Sequence, residues 1–446
     1  MSNQKYLLVF LHHYYIHCLL NNFYILIVKV HIQMNFIKTS IYSAASTTIS
    51  LLVKLITNKV IAVYLGTNGM FLIGQLKDFL KIGNTLGTMG IETGTVKYTS
   101  ELNKNETNFK ELLSTSFKIH FYSSLIVVSL LLIFYNYLTM GFSDEMSHLK
   151  DNTYKYILCT SIISFSIQTF IMSTLNGLKK IKLFVLINIL ATLISAVFLI
   201  YLVINYSIIG AFYALILSPI LTLLIAILIC VILKPFKLNF FNYLFKVEYL
   251  KKLSNFSLMA IAAPICLLSA TFIVRYFVYD EFDSNHAGSW EAMWRISAIY
   301  LMFLTTTFKF YLVPTFTNLN NDQLKKEVFK IWKTILPVIF LITLGVYFSK
   351  DLIINTLFTS EFNLINSLIL FHLFGDIIKI NCWVLGNILV AKAKTNHFIL
   401  FQVEWSIIFV ILSIILTNIY GFVGLSIAYL IAYHKSFLKY IFNNKK

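Results

Sequence analysis

Apolar stretches of roughly 20 residues, the length a helix needs to cross about 30 Å of hydrocarbon, recur along almost all of this 446-residue chain with short polar breaks between them. No other feature constrains the fold as tightly. The chain is 58% hydrophobic and 12% charged, with a mean hydropathy of +0.77, an excess that no water-soluble core of this size requires. No stretch is long enough for a separate soluble domain. The expected fold is therefore an all-α polytopic membrane protein of about twelve transmembrane helices. The spans are expected near 40–64, 68–97, 118–139, 154–178, 183–205, 208–234, 252–279, 287–314, 333–350, 363–391, 397–418 and 421–441.

The net charge of +17 would point to nucleic acid in a soluble protein. Here the lysines gather in alternate loops, such as Lys179, Lys180 and Lys182, or Lys392 and Lys394. The opposite loops carry Asp144, Glu145, Asp151, Asp280, Glu281 and Asp283. By the positive-inside rule both termini are cytoplasmic, and nucleic acid is not a partner. The five cysteines fall singly in apolar segments, with neither CxxC nor metal-ligand spacing.

Residues 1–33 do not fit this count, because His12, His13, His17, Asn21 and Asn22 interrupt an apolar, aromatic run. Met34 directly precedes a short basic lead into the first regular span, so residues 1–33 read as an N-terminal extension arising from a mis-assigned start. An interfacial amphipathic helix is the alternative. The polar stretch 235–251, with Pro235 and several lysines, separates an N-terminal six-helix bundle at 34–234 from a C-terminal one at 252–446. Transporters built from such repeats place the substrate site between them.

A charged side chain in mid-span costs about 2.5–3.5 kcal/mol on insertion scales, so it faces water or a partner inside the bundle. Lys54 and Lys59 fall in span one, Lys77, Asp78 and Lys81 in span two, and the only two arginines of the chain, Arg275 and Arg295, in spans seven and eight. With Lys309 and Lys379 the intramembrane cations outnumber the acids Asp78, Glu92, Glu291, Asp376 and Glu404. That surplus implies an aqueous cavity or an anionic ligand. Phosphate or pyrophosphate suits both the lysine point charge and the arginine fork. Lys309 and Glu92 lie near the cytoplasmic ends, where snorkelling explains them. Glu291 and Glu404 have no role assigned by pattern.

Asp376 and Lys379, at i and i+3 on span ten, read as an intrahelical ion pair or as a site where H⁺ or Na⁺ couples to transport. Gly83, Gly87, Gly90 and Gly94 form a small-residue stripe expected to pack span two against a neighbour. Pro219 and Pro264 interrupt helix hydrogen bonding, which makes span seven a hinge candidate at Pro264. No Walker A motif, nucleophile elbow or zinc spacing occurs, so no cofactor is expected and the energy source is a gradient or product removal.

Several segments taken in order resemble a known family. They include Asn58-Lys59-Val60-Ile61-Ala62-Val63-Tyr64-Leu65-Gly66, Gly94-Thr95-Val96-Lys97-Tyr98, Trp294-Arg295-Ile296-Ser297, Tyr311-Leu312-Val313-Pro314-Thr315 and Gly375-Asp376-Ile377-Ile378-Lys379. Over about 36–440 the chain is similar to the Wzx-type O-antigen and lipid III flippases of the polysaccharide transporter family. The resemblance implies the multidrug/oligosaccharidyl-lipid/polysaccharide exporter fold, with two six-helix bundles around a cation-lined cavity. It further implies a transporter rather than an enzyme, passing an undecaprenyl-pyrophosphate-linked oligosaccharide to the outer leaflet of a bacterial inner membrane. A polysaccharide polymerase and a chain-length regulator are the implied protein partners. The expected pyrophosphate-binding residues are Lys54, Lys59, Lys77, Lys81, Arg275 and Arg295. The alternatives are a drug/cation antiporter of the same superfold, which the cation surplus opposes, and a membrane O-antigen polymerase or glycosyltransferase, for which the outer loops are too short.

Overall fold

The computed structural model describes residues 3–102, 106–139, 151–235, 240 and 243–443. Within the described segments, side chains are described from Tyr42 onward, apart from 43, 138–139, 255–256, several positions between 303 and 321, and 436–443. The described chain is helical and contains no strand. In order it forms α1 (Asn3–Gly87), α2 (Glu92–Leu102), α3 (Glu106–Thr139), α4 (Asn152–Gly177), α5 (Ile181–Leu233) and α6 (Val247–Glu281). The second half continues with α7 (Ser284–Asn318), α8 (Asn321–Phe348), α9 (Lys350–Leu357), α10 (Ile365–Ala391), α11 (Thr395–Tyr420) and α12 (Gly424–Asn443). Eight helical stretches among the described residues are long and apolar enough to cross a bilayer.

Three of those stretches contain an internal break with one local design. Helical geometry is lost at Gly66 (φ 63°, ψ −161°) in α1 and at Ser207 (φ 50°, ψ −133°) in α5, and Gly421 (φ 63°, ψ −152°) separates α11 from α12. Each break is followed three residues later by a glycine: Gly69, Gly210 and Gly424. A Cβ on Gly210 would lie 2.0 Å from the Leu202 carbonyl oxygen, and one on Gly424 would lie 2.2 Å from that of Leu416. A positive-φ residue reverses the chain, and a residue without a side chain lets the two arms meet. The polar gaps that set the expected spans apart at these places are these turns.

The opposite ends close differently. Lys179 and Ala393 adopt positive φ. The next backbone N–H, on Lys180 or Lys394, donates to the carbonyl of Leu175 or Leu389. This left-handed closure satisfies helix-end carbonyls that would otherwise lack partners. The chain offset from Lys179 to Ala393 is the same as that from Ser207 to Gly421. One turn pattern is thus laid down twice.

Span two differs from its expected extent of 68–97. Met89 and Gly90 both take positive φ, so α1 stops at Gly87 and α2 is a separate short helix. The glycine stripe is accordingly divided. Gly83 and Gly87 share a face against Ile162 of α4, whereas Gly90 forms the turn beside Ala260 and Ile261 of α6, and Gly94 is buried on α2. Glu92 lies in the first turn of α2, where a carboxylate complements the helix dipole. Pro264 is accommodated within a continuous α6, and residues 3–33 are helical and run directly into the first span. Asp144 and Glu145, and the side chain of Lys309, lie outside the described residues.

Candidate functional site

The intramembrane charges converge on a seam where α1 of the first half meets α6 and α7 of the second. Arg275, 3% exposed, donates through Nη2 to Glu291 at 2.7 Å and to Asp78 at 2.9 Å, and through Nη1 to Gln75 at 3.2 Å. Its guanidinium also lies 5.8 Å from the Trp290 ring centroid. Thr271 donates to Asp78 at 3.0 Å. Arg295 donates through Nε to Glu291 at 2.9 Å and through Nη1 to Asn58 at 2.8 Å. Its Nη2 is buried without a hydrogen-bond partner among the described residues. Removing one member of a buried charge pair leaves the other uncompensated, at a cost of about 3–5 kcal/mol.

Gly74 makes this arrangement possible. A Cβ there would lie 2.8 Å from the Glu291 carboxyl carbon, so only glycine lets the carboxylate sit against α1. Glu291 therefore holds both arginines of the chain. Its i, i+4 spacing from Arg295 was a readable signal on one helix, but its bond to Arg275 depends on which helices become neighbours.

The lysines are placed differently. Lys77 lies within electrostatic reach of Arg295, Glu291, Lys81 and Asp78, and Lys54 within reach of Lys81. Among the described residues none of Lys54, Lys77 and Lys81 forms a salt bridge. Lys54 points across the seam, its Nζ 3.9 Å from the Met302 sulfur on α7. Five of the six expected anion-binding cations thus gather around one seam, against the two carboxylates of Asp78 and Glu291. Lys59 is apart from them. Its Nζ donates to the carbonyls of Asn355, at 3.0 Å, and Phe358, closing the C-terminal end of α9, where a cation complements the helix dipole.

Asp376 and Lys379 form a second buried cluster within the second half. Asp376 accepts from Ser297 at 2.7 Å, from Tyr429 at 2.7 Å and from Tyr300. Lys379 donates to the Tyr429 hydroxyl at 3.0 Å. The i, i+3 pair is therefore not a direct ion pair, because Tyr429 stands between the two charges. The Lys379 ammonium is also ringed by Trp294, Trp383, Tyr429 and Tyr433 at 4.9–5.7 Å, a cation–π cage. The His372 ring stacks on Tyr429 at 4.3 Å. The tyrosines were missed from sequence because aromatic residues in apolar spans look like ordinary packing.

Helices threading the bilayer, a charged seam between the halves of the chain and a surplus of cations along it define a polytopic membrane transporter. The chain belongs to the polysaccharide biosynthesis protein family, which it matches over residues 72–366. It is 24% identical over 405 residues to the lipid III flippases of Escherichia coli (strain K12) and Shigella flexneri, covering 90% of this chain and 96% of theirs. In fold it is similar to an inward-facing multidrug resistance MATE family transporter of the MOP superfamily, with a TM-score of 0.74, 13% identity, and 88% of this chain and 94% of that one covered. It is likewise similar to the lipid II flippase MurJ in an inward closed conformation, with a TM-score of 0.67, 20% identity, and 91% and 87% covered. The resemblance to Wzx-type flippases read from the sequence is borne out, and these relatives are flippases and transporters rather than enzymes.

Proposed function

We propose that this protein is a flippase that carries an undecaprenyl-pyrophosphate-linked oligosaccharide, the unit of an O-antigen or similar surface polysaccharide, from the inner to the outer leaflet of a bacterial inner membrane. Both termini face the cytoplasm. The bundles 34–234 and 252–446, joined by 235–251, alternate access to the seam between them.

The observation that carries this reading is the set of lysines without salt bridges, Lys54, Lys77 and Lys81, beside the unpartnered Nη2 of Arg295. Like charges held this close repel, and a pyrophosphate placed among them turns the repulsion into attraction. Arg275 and Arg295 hold their positions through Glu291 and Asp78, while the lysines supply the free charge. The polyprenyl tail stays in lipid between the bundles, where an alkyl chain needs no polar partner. Asp376, with Lys379 linked to it through Tyr429, is the place for a coupling H⁺ or Na⁺, and Pro264 is the hinge in α6. A polymerase and a chain-length regulator receive the product. A cationic-drug antiporter would need the opposite charge balance along the seam.

Deletion of the gene in its native host tests the reading. Lipid-linked repeat units are expected to accumulate on the cytoplasmic leaflet, with surface polysaccharide lost. Normal surface polysaccharide after deletion overturns it.

A further inference from the structure

Apart from the charged seam, a cavity of about 320 Å³ opens inside the first half of the chain between α1, α4 and the two arms of α5. Its wall carries Thr57, Gln168, Asn188, Ser195, Ser218 and Thr222, and among the described residues no charged side chain lines it. By helix rise, Asn188 and Gln168 lie roughly 10–15 Å from the helix ends at Ile181 and Gly177, well inside the membrane. Hydroxyls and amides at that depth occur only where they meet protein partners, water or a ligand.

Part of the wall is satisfied internally. Thr222 donates to Gln168 Oε1 at 3.0 Å, and Ser218 donates to Ser195 at 3.1 Å. These bonds fix the side chains but leave capacity facing the cavity. The Gln168 amide group keeps its N–H donors, and the Asn188 amide makes no hydrogen bond to the described residues. Pro219 lacks the N–H that would bind the carbonyl of Leu215, and Leu215 lines the same cavity. The wall therefore offers both donors and acceptors without net charge.

We propose that this cavity is the subsite for the uncharged saccharide portion of the transported lipid. The proposal rests on the flippase reading above and deepens it. A phosphate would find no counter-charge here, a cation no carboxylate, and an alkyl chain would leave the amides unpaired. A neutral polyol, presenting alternating donors and acceptors, meets each group. The volume falls within the roughly 300–1,000 Å³ of small-molecule sites. The cavity also adjoins the charged seam along one helix: Val53 and Thr57 line it, and Lys54 lies between them in sequence. A sugar and the pyrophosphate that bears it would thus be held from neighbouring faces of a single helical turn, about 5.4 Å in height.

Cysteine accessibility in the full-length protein, reconstituted in liposomes, tests this. Asn188→Cys and Lys81→Cys are labelled with a small hydrophilic maleimide, above the wild-type background. The probes are undecaprenyl pyrophosphate alone and undecaprenyl pyrophosphate bearing an oligosaccharide. Both lipids are expected to slow labelling at Lys81→Cys, whereas only the sugar-bearing lipid slows Asn188→Cys, by fivefold or more. Equal protection of Asn188→Cys by the bare lipid overturns the assignment, as does no protection by either or a cavity closed to the reagent. Failure of both lipids at Lys81→Cys counts against the pyrophosphate seam alone, and protection at Asn188→Cys still stands or falls by itself.

Discussion

The saccharide-sized cavity of the first half has a counterpart in the second, of about 310 Å³, between α6, α10, α11 and α12. The offset that relates Ser207 to Gly421 also relates Asn188 to Gln402 and Ala191 to Trp405, each on the wall of its own cavity. The chemistry has diverged. One wall is hydroxyls and amides, whereas the other sets the amides Asn387 and Gln402 among Trp383, Trp405, Phe398, Phe401 and Tyr433 with the caged Lys379 and carries no hydroxyl apart from that of Tyr433. In the second half the buried charge is already satisfied by hydroxyls from α7 and α12. In the first half the polar groups keep unused capacity. A duplicated helix scaffold therefore sets where cavities of similar volume form, while side chains decide which chemistry each cavity offers.

The largest effects are expected at the seam between the halves. Arg295→Ala and Lys77→Ala should each lower transport of the lipid-linked oligosaccharide tenfold or more while the protein still inserts. Vesicle transport and membrane fractionation measure both, and normal transport by both variants removes the pyrophosphate assignment. Glu291→Ala should differ from these by acting on stability, since it strands buried Arg295 and leaves Arg275 with Asp78 alone, at a cost of about 3–5 kcal/mol. A large fall in the thermal unfolding midpoint in detergent is the expected outcome.

Asp376→Asn addresses the second half. The amide oxygen still accepts from Ser297 and one tyrosine, so the fold is expected to persist while the charge is lost. Transport should then lose its dependence on a proton or sodium gradient. Retention of that dependence would move the coupling site elsewhere.

Gly74→Ala should cost about 1–3 kcal/mol, because the added methyl overlaps the Glu291 carboxylate. The shorter Glu291→Asp should absorb part of that cost, so the double variant is expected to be more stable than the sum of the two single effects. Additive losses in thermal unfolding would mean that Gly74 and Glu291 do not share the space.

Much of this comparison was legible in the sequence. Lys54, Lys77, Lys81, Arg275 and Arg295 stood out because charge within an apolar run demands a reason, and the gap around Ser207 separated two spans correctly. What was not legible depends on neighbours distant in the chain. Asp78 meets Arg275 only because α1 packs on α6, and Tyr429 reaches Asp376 only because α12 packs on α10. Local signals were missed as well. The capping box of Asn320 and Gln323 starts α8 well before its apolar core. The positive φ at Met89 and Gly90 ends α1 inside an otherwise continuous helical pattern.

The smallest expected effect bears on the duplicated turn itself. Ser207 and Gly421 occupy equivalent breaks with similar dihedral angles, yet only Gly421 has the residue that this region of backbone favours. A non-glycine residue held at such angles costs on the order of 1–3 kcal/mol, which the packing of the two arms of α5 must offset. Ser207→Gly should relieve part of that strain, and Gly421→Ser should introduce it. The expected result is a modest rise in the unfolding midpoint for the first and a similar fall for the second, with transport unchanged in both. The serine hydroxyl offers no compensating contact, since no hydrogen bond from it occurs among the described residues. If Ser207→Gly instead lowered stability, the greater freedom glycine gives the unfolded chain would outweigh the relief. The two turns would then be equivalent in shape but not in what holds them.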